Sequence, residues 1–188
     1  MRVVGGSLRG RALATPAHEG VRPTSDRVRE SLFNILLHGI DGFEIERVRV
    51  IDLFAGTGAL GVEALSRGAA YALLVDSEPE SRALIRRNVE AFGLTGATKI
   101  WRRDATDLGP AGNMTPFGLA FLDPPYGQGL AERALASLVG GGWLAPGAVV
   151  VVEERKGAAP VLPAPLAEID RRGWGDTEVT FARMPIAA

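Results

Sequence analysis

Residues 50–61 read Val-Ile-Asp-Leu-Phe-Ala-Gly-Thr-Gly-Ala-Leu-Gly, and this stretch decides the fold. An apolar run passes into a glycine-rich bend and then into a helical pattern, an order that predicts a buried strand, a tight turn and a helix N-terminus. Glycines at such a turn let a ligand approach the backbone, where a Cβ atom would collide with it. The spacing Gly56-x-Gly58-x-x-Gly61, with Asp76 twenty residues beyond Gly56, also satisfies the dinucleotide-binding fingerprint. By itself this match indicates NAD.

An acid near the end of the first strand argues against NAD. A pyrophosphate is an anion, and it prefers backbone amides and a helix dipole to the carboxylate that Asp52 provides. A ligand with a cationic amino acid head tolerates or seeks such a carboxylate. S-adenosyl-L-methionine carries both an ammonium and a sulfonium, so Asp52 favours it as the ligand.

A second acid, in Asp123-Pro-Pro-Tyr126, follows the apolar run 117–122. Ligands of open α/β sheets bind at the carboxyl ends of the strands, where this tetrapeptide falls. Methyl transfer to an exocyclic amine needs a lone pair that ring conjugation withholds. The Asp123 carboxylate and the Pro124 carbonyl can accept the amine hydrogens, and Tyr126 offers a face on which an extruded base stacks. We therefore predict that Asp123, Pro124 and Tyr126 are the catalytic residues of a methyltransferase.

The predicted cofactor site combines the glycine loop with acids at the ends of neighbouring strands. Asp76 ends the second strand and can accept two hydrogen bonds from ribose hydroxyls, or it can cap the helix that starts near Pro79. Asp104 follows the third strand and can accept from an adenine amino group, or it can cap a short turn. The predicted S-adenosyl-L-methionine-binding residues are Asp52, Phe54, Ala55, Gly56, Gly58, Asp76, Ser77 and Asp104.

Strand and helix patterns alternate from residue 48 onward, which predicts parallel strands with helices on both faces. The strands are expected near 48–54, 71–76, 97–102, 117–122 and 147–153, and the helices near 58–67, 79–92 and 130–139. Two last strands, 169–174 and 178–184, are joined by Gly175-Asp176, a hairpin signal. We expect an α/β, Rossmann-like class I methyltransferase fold with a mostly parallel seven-stranded sheet that ends in an antiparallel hairpin.

The N-terminal part is expected to differ from this body. Residues 2–15 predict a small β-hairpin, so residues 1–20 form a basic extension and residues 21–188 the methyltransferase domain, within one folding unit. A helix capped by Thr24 or Ser25 then runs to about His38. Its apolar face is predicted to hold Val28, Leu32, Ile35 and Leu36, and its polar face, which borders either solvent or the active site, Arg27, Ser31 and Asn34.

Positive charge is concentrated at the start of the chain. The net charge is −1, but residues 1–30 hold six arginines against three acids, which leaves −4 for the remainder. A basic segment on an acidic body is typical of phosphate binding, although three net charges also suit a solvated surface. The predicted RNA-binding residues are Arg2, Arg9, Arg11, Arg22 and Arg27.

Composition excludes several classes of site. The chain has no cysteine and only two histidines, so we expect no disulfide and no metal centre. Residues 1–10 are polar and unlike a signal peptide, and no run of 18 apolar residues occurs. We therefore expect a cytoplasmic protein, and a monomer.

Five segments resemble the bacterial 16S rRNA guanine-N2 methyltransferase family, the RsmD-type enzymes. They are residues 2–11, 22–36, 52–61, 123–126 and 175–177. The glycine loop and Asp-Pro-Pro-Tyr are shared with other methyltransferases, whereas residues 2–11 and 22–36 are more specific. The resemblance implies methylation of one guanine of 16S rRNA in the assembled small subunit. Trp174 is a departure, because tyrosine is expected before Gly-Asp-Thr, but a tryptophan retains the capacity to stack.

Three alternatives remain from the sequence. One is an amino-methyltransferase acting on DNA adenine or on a protein glutamine, although 188 residues leave no room for a separate DNA-recognition region. Another is an RNA-binding module without catalysis, which the glycine loop, Asp76 and Asp123 argue against. The third is the NAD-dependent oxidoreductase.

Overall fold

Seven strands form one mixed sheet in the computed structural model, which describes residues 1–17 and 24–187. The strands are β1 (Arg49–Leu53), β2 (Tyr71–Val75), β3 (Thr98–Trp101), β4 (Phe117–Leu122), β5 (Leu144–Arg155), β6 (Ala167–Trp174) and β7 (Thr177–Arg183). Their order across the sheet is β3-β2-β1-β4-β5-β7-β6. The first five are parallel, and β7 is antiparallel to both β5 and β6. The predicted fold class is confirmed.

Helices cover both faces of the sheet. They are α1 (Asp26–His38), α2 (Ala59–Ser66), α3 (Pro79–Ala91) and α4 (Leu130–Gly140). The central strands alternate between two apolar cores: Val50 and Leu74 pack with α1, α2 and α3, whereas Ile51 and Leu73 pack with α4. Because both faces are buried, these strands are almost entirely apolar, as expected for a parallel sheet.

The strand order reverses at β1. The chain passes from β1 to β2 on one side, and β4 joins β1 on the other. At such a switch point the connections leave in opposite directions and open a crevice at the carboxyl ends of the strands. The loops after β1 and β4, which carry the glycine motif and Asp123-Pro-Pro-Tyr126, therefore face the same crevice.

The buried face of α1 differs from its predicted apolar face. Ser25 caps the helix, since its side chain accepts from the Val28 amide at 3.2 Å. The buried residues are Arg29, Leu32, Phe33 and Leu36, while the predicted Val28 and Ile35 are only half-buried. Ile35 still packs against the apolar core, so the prediction was wrong only at Val28. The wholly buried Arg29 turns inward instead, with its Nε 3.5 Å from a carboxylate oxygen of Glu63 in α2.

The N-terminal segment doubles back and packs on α2. One antiparallel bridge joins Arg2 and Ala12 across a 3-10 turn at Gly6–Leu8, so the predicted hairpin consists of a single pair. The amides of Val4 and Gly5 donate to the Glu63 carboxylate at 3.0 and 2.8 Å. The division into an extension (1–20) and a domain (21–188) stays a prediction.

Within the described ranges, no helix is long and apolar enough to cross a membrane. The same ranges contain no group of three or more His, Cys, Asp or Glu side chains that could hold a metal ion.

Candidate active site

The glycine loop between β1 and α2 is a tight turn that requires its glycines. Gly56 and Gly58 have φ angles of 60° and 80°, and Gly58 is the N-cap of α2. At Gly61 an added Cβ would lie 2.4 Å from Leu74 Cδ2, so α2 packs directly on β2. Phe54 has a φ of 58°, which costs a residue with a side chain about 1–3 kcal/mol and is characteristic of functional loops.

A cavity of about 130 Å³ lies over this loop. Of the predicted cofactor residues, Phe54, Ala55 and Gly56 line it, together with the predicted catalytic Asp123. The cavity is closed on the N-terminal side by Met1, Pro16, Thr24 and Arg29. On another side it is closed by Ser81 and Leu84 of α3. The N-terminal segment is therefore part of the cavity wall.

Asn88 of α3 fastens this wall to the glycine loop. Its side-chain oxygen accepts from the Ala14 amide at 2.7 Å, and its nitrogen donates to the carbonyls of Ala14 and Thr57 at 3.2 and 2.9 Å. Asn88 is buried, so these bonds also satisfy its polar atoms.

Asp76 joins the glycine loop to the start of α3. One carboxylate oxygen accepts from the Gly56 amide and the other from the Glu78 amide, each at 2.9 Å. The second bond supports the capping alternative, because Glu78 precedes Pro79, the first residue of α3. Each carboxylate oxygen can accept a further hydrogen bond, so a contact with ribose hydroxyls is compatible with both.

Asp52 lies beneath the glycine loop. It is 1% exposed, and its Oδ2 accepts from the Gly61 amide at 3.0 Å. Burial, followed by the nearby Asp76 carboxylate, raises the pKa of Asp52 to about 8. The carboxyl group anchors α2 to β1, and its contact with a ligand's ammonium stays a prediction.

The remaining predicted cofactor residues, Ser77 and Asp104, lie on exposed loops. Ser77 Oγ donates to Glu78 at 3.4 Å. Asp104 Oδ1 accepts from the Thr106 hydroxyl and amide at 2.7 and 2.8 Å, and these bonds lower the pKa of Asp104. Asp104 therefore caps a short turn, which was one of its two predicted roles. Its contact with adenine stays a prediction.

Asp123 belongs to a cluster of polar groups. Its Oδ2 lies 3.3 Å from the Thr24 hydroxyl, and that hydroxyl donates to Glu153 Oε2 at 2.7 Å. The other oxygen of Glu153 accepts from the Tyr126 hydroxyl at 3.2 Å, and Tyr126 also lies 3.2 Å from the Thr177 hydroxyl. These bonds fix the Tyr126 ring beside Asp123, and the buried Pro124 separates the two along the chain.

Both carboxyl groups of this cluster have a raised proton affinity. Burial and then the charges of Glu153 and Asp52 raise the pKa of Asp123 well above its usual value. Burial also raises the pKa of Glu153. Burial raises the pKa of Tyr126 to about 12, so its hydroxyl stays protonated. Because two close carboxylates resist simultaneous ionisation, the doubly ionised Asp123–Glu153 pair has a high affinity for one proton.

Sequence reasoning missed Thr24 and Glu153 as site residues. Glu153 follows the apolar run 149–152 near the carboxyl end of β5, so the rule that selected Asp123 could have selected it. Thr24 precedes α1 and was considered only as a helix cap. It lies 99 residues from Asp123 and 129 from Glu153, and no local pattern brings the three together.

The predicted RNA-binding arginines fall into two groups. Arg2 donates to the Gly10 carbonyl at 2.6 Å, and Arg11 donates to the Ala91 carbonyl at 2.8 Å with its guanidinium 4.6 Å from the Phe92 ring centroid. These two hold the N-terminal segment in place, although both remain exposed. Arg9 and Arg27 are also exposed, and Arg22 lies outside the described residues.

The family model described as "Conserved hypothetical protein 95" matches residues 1–183. The chain belongs to this family. Ribosomal RNA small subunit methyltransferase D of Escherichia coli K12 is 39% identical over 165 residues, which are 87% of this chain and 80% of that protein. The putative rRNA methyltransferase YlbH of Bacillus subtilis is 39% identical over 141 residues, covering 74% of this chain and 73% of the relative. The resemblance to RsmD-type enzymes is confirmed.

Solved structures agree with this assignment. A putative methyltransferase from Escherichia coli superposes with a TM-score of 0.83 at 31% identity, covering 100% of this chain and 99% of the other. A putative methylase from Haemophilus influenzae gives a TM-score of 0.79 at 27% identity, covering 98% of both chains. The described residues, including the N-terminal segment, therefore share their fold with the first of these proteins.

Proposed function

We propose that this protein transfers a methyl group from S-adenosyl-L-methionine to the exocyclic N2 amine of a guanine in 16S rRNA of the small ribosomal subunit. The names of the curated relatives support the reaction and the RNA. The observation that carries the proposal is the position of Asp123, which lines the same cavity as the glycine loop and can meet an amine there. Action on ribosomal subunits also implies that the protein works in the cytoplasm.

The residues around the cavity fit S-adenosyl-L-methionine. The open space beside Gly56, where an added Cβ would meet only a carbonyl at 3.9 Å, lets a ligand lie against the backbone. The amino acid end of the ligand would be held by Phe54, Ala55 and Gly56. The ribose would contact Asp76 and Ser77, and the adenine would contact Asp104. The glycine loop itself is supported by Asp52 and Gly58. When bound, this molecule supplies a methyl group activated by a sulfonium.

The catalytic residues act on the amine. The Asp123 carboxylate and the Pro124 carbonyl accept its two hydrogens and direct the nitrogen lone pair toward the methyl group. Tyr126 presents a ring to the extruded guanine, because its hydroxyl is already fixed by Glu153 and Thr177. An acceptor that is ionised at the start can also take up the proton that the nitrogen must lose.

Basic side chains near the N-terminus would hold the RNA. Arg9 and Arg27 are exposed, and no hydrogen bond or ion pair of their guanidinium groups occurs within the described residues, so we assign them phosphate contacts. Arg2 and Arg11 would contribute charge while they hold the segment in place. Arg22 is assigned to the same surface from the sequence alone.

Tritiated S-adenosyl-L-methionine, supplied with competing acceptors, tests the proposal. Small subunits from cells that lack the enzyme should be labelled, and hydrolysis of their rRNA should yield N2-methylguanosine. Naked rRNA, DNA and a glutamine-containing protein are the other acceptors. Label in N6-methyladenine or in methylglutamine would refute the guanine assignment, and absence of label from every acceptor would indicate a binding module.

A further inference from the structure

The Thr24 hydroxyl lies between two carboxyl groups. It is 2.7 Å from Glu153 Oε2 and 3.3 Å from Asp123 Oδ2. A hydroxyl carries one proton and can accept two hydrogen bonds. When Thr24 donates to Glu153, its oxygen can therefore accept from Asp123, provided that Asp123 is protonated.

We propose that Asp123, Thr24 and Glu153 form a proton relay that removes a proton from the catalytic carboxyl group. Asp123 touches the substrate, whereas Thr24 and Glu153 act through it as positioning residues. The inference rests on the proposed function, since only methylation of an amine delivers a proton to Asp123.

The relay balances the proton that the reaction releases. The guanine N2 lone pair forms the new N–C bond while the C–S bond breaks and its electron pair stays on sulfur. Both carboxyl groups of the pair are ionised at the start, and the nitrogen, now positive, gives one proton to the Asp123 carboxylate. Asp123 then donates that proton to Thr24 Oγ, and the proton that Thr24 carried passes to Glu153. Asp123 is again ionised, and Glu153 is neutral.

The surroundings of Glu153 suit a group that holds a proton. It is 7% exposed, and each of its two oxygens already accepts a hydrogen bond, one from Thr24 and one from Tyr126. Burial raises the pKa of Glu153 by more than these two hydrogen bonds lower it, so uptake of a proton there is favourable.

Other charged groups surround the Asp123–Glu153 pair. Asp52 of β1 and Glu154 of β5 both raise the pKa of Asp123. Arg29 of α1 donates to the Thr24 carbonyl at 3.3 Å, and the Arg155 guanidinium lies 6.0 Å from the Tyr126 ring centroid. The acids increase the affinity of the pair for one proton, and Arg29 fixes the backbone that presents the Thr24 hydroxyl.

Two substitutions of Thr24 isolate the hydroxyl. Thr24→Val keeps both carboxyl groups and the side-chain volume, and it should lower the single-turnover rate about 100-fold, the lower end of what a positioned proton acceptor contributes. Thr24→Ser restores the hydroxyl and should recover most of this loss. The affinity for S-adenosylhomocysteine, measured by calorimetry, should stay the same in both. Thr98→Val is the matched control, because it removes a hydroxyl that bonds to the Leu94 carbonyl, away from the cavity.

The pH dependence tests whether Thr24 and Glu153 act on the proton affinity of Asp123, as the relay requires and a purely structural role does not. Glu153→Gln removes a negative charge, so the Asp123 pKa falls and the rising limb of the pH–rate profile moves to lower pH. Thr24→Val removes a hydrogen bond that lowers the Asp123 pKa, so the limb moves to higher pH. The maximal rate should fall in both variants. Carbon-13 NMR titration of the carboxyl groups should show the same opposite shifts without any turnover.

The results can contradict the relay without contradicting the methyltransferase. The native enzyme must first methylate small subunits; if it does not, the proposed function fails. If it does, three outcomes overturn the relay: a Thr24→Val rate within a few-fold of native, equal losses in the Val and Ser variants, or pH limbs that shift in the same direction or not at all. A parallel loss of S-adenosylhomocysteine affinity would instead assign Thr24 to ligand binding.

Discussion

Glu63 supports the N-terminal wall of the cavity, and its removal should be strongly destabilising. Its carboxylate, buried in α2, is 3.5 Å from the buried Arg29 and 2.9 Å from Arg67. It also accepts from the Val4 and Gly5 amides at 3.0 and 2.8 Å. Glu63→Ala would leave the buried Arg29 guanidinium with the half-exposed Asp26, 2.9 Å away, as its carboxylate partner, and would leave two amides to water.

The expected magnitude follows from these contacts. Removing one partner of a buried ion pair costs about 3–5 kcal/mol, and the lower end applies here because Asp26 still pairs with Arg29. The two amides are only partly buried, so water replaces most of their bonds and the added cost is about 1 kcal/mol. Unfolding free energy should therefore fall by about 4 kcal/mol, which for a chain of this length lowers Tm by roughly 8–16 °C.

Urea unfolding and thermal melting measure this loss. Glu90→Ala is the matched control, since it removes an exposed glutamate from α3 and should change stability by less than about 0.5 kcal/mol. Replacing the buried pair together, as Arg29→Met with Glu63→Leu, should recover part of the loss because neither charge remains. A loss below about 1 kcal/mol in Glu63→Ala would refute the view that this carboxylate holds α1 and the N-terminal segment on α2.

Four further predictions concern the site. Asp76→Ala should weaken S-adenosylhomocysteine binding by about 2–4 kcal/mol in calorimetry, because charge-assisted hydrogen bonds are lost; unchanged affinity in a folded variant would remove Asp76 from the ligand site. Asp123→Ala should keep the affinity for S-adenosylhomocysteine but lower the rate of methyl transfer about 100-fold or more. Asp123→Asn, which still has an accepting oxygen, should retain more activity. Turnover of the Ala variant near the native rate would contradict the acceptor role. Arg9→Ala should weaken small-subunit binding and flatten the log–log salt slope by about 0.7–0.9 without changing Tm. Arg11→Ala should also lower Tm, because its guanidinium contacts Ala91 and Phe92 at the end of α3. Equal melting and equal binding in both variants would exclude this division of roles. Because the pKa of Asp52 is raised in the folded state, its contribution to stability is fully present below pH 3.8 and is lost as pH rises toward about 8. Asp52→Asn, followed by urea unfolding from pH 4 to 9, should flatten this decline, and an unchanged pH profile would show that Asp52 does not titrate in this range.

The sequence alone determined the fold and most of the catalytic loop. Apolar runs in alternation with helical patterns dictate a parallel sheet, because only burial on both faces suits strands as apolar as β2 and β4. Glycine spacing identified the turn after β1, since the positive φ angles of Gly56 and Gly58 favour residues without a side chain. Asp123 could be selected because the end of a parallel strand is a local feature of the sequence.

Only the tertiary structure decided which distant side chains meet. Periodicity placed Val28 on the buried face of α1, but Arg29 is buried there instead, with Glu63 of another helix as its buried partner. Charge counting assigned Arg11 to RNA, yet its guanidinium contacts the end of α3.

The Asp123–Thr24–Glu153 arrangement shows the same limit at the site itself. The Thr24 hydroxyl serves two carboxyl groups from elements 99 and 129 residues away, and only the packing of α1 across the ends of β4 and β5 brings it there. Local propensity and spacing describe a residue and its neighbours in the chain. The partner of a polar side chain is set by the fold, because a buried donor or acceptor must be satisfied by whichever group packing places beside it.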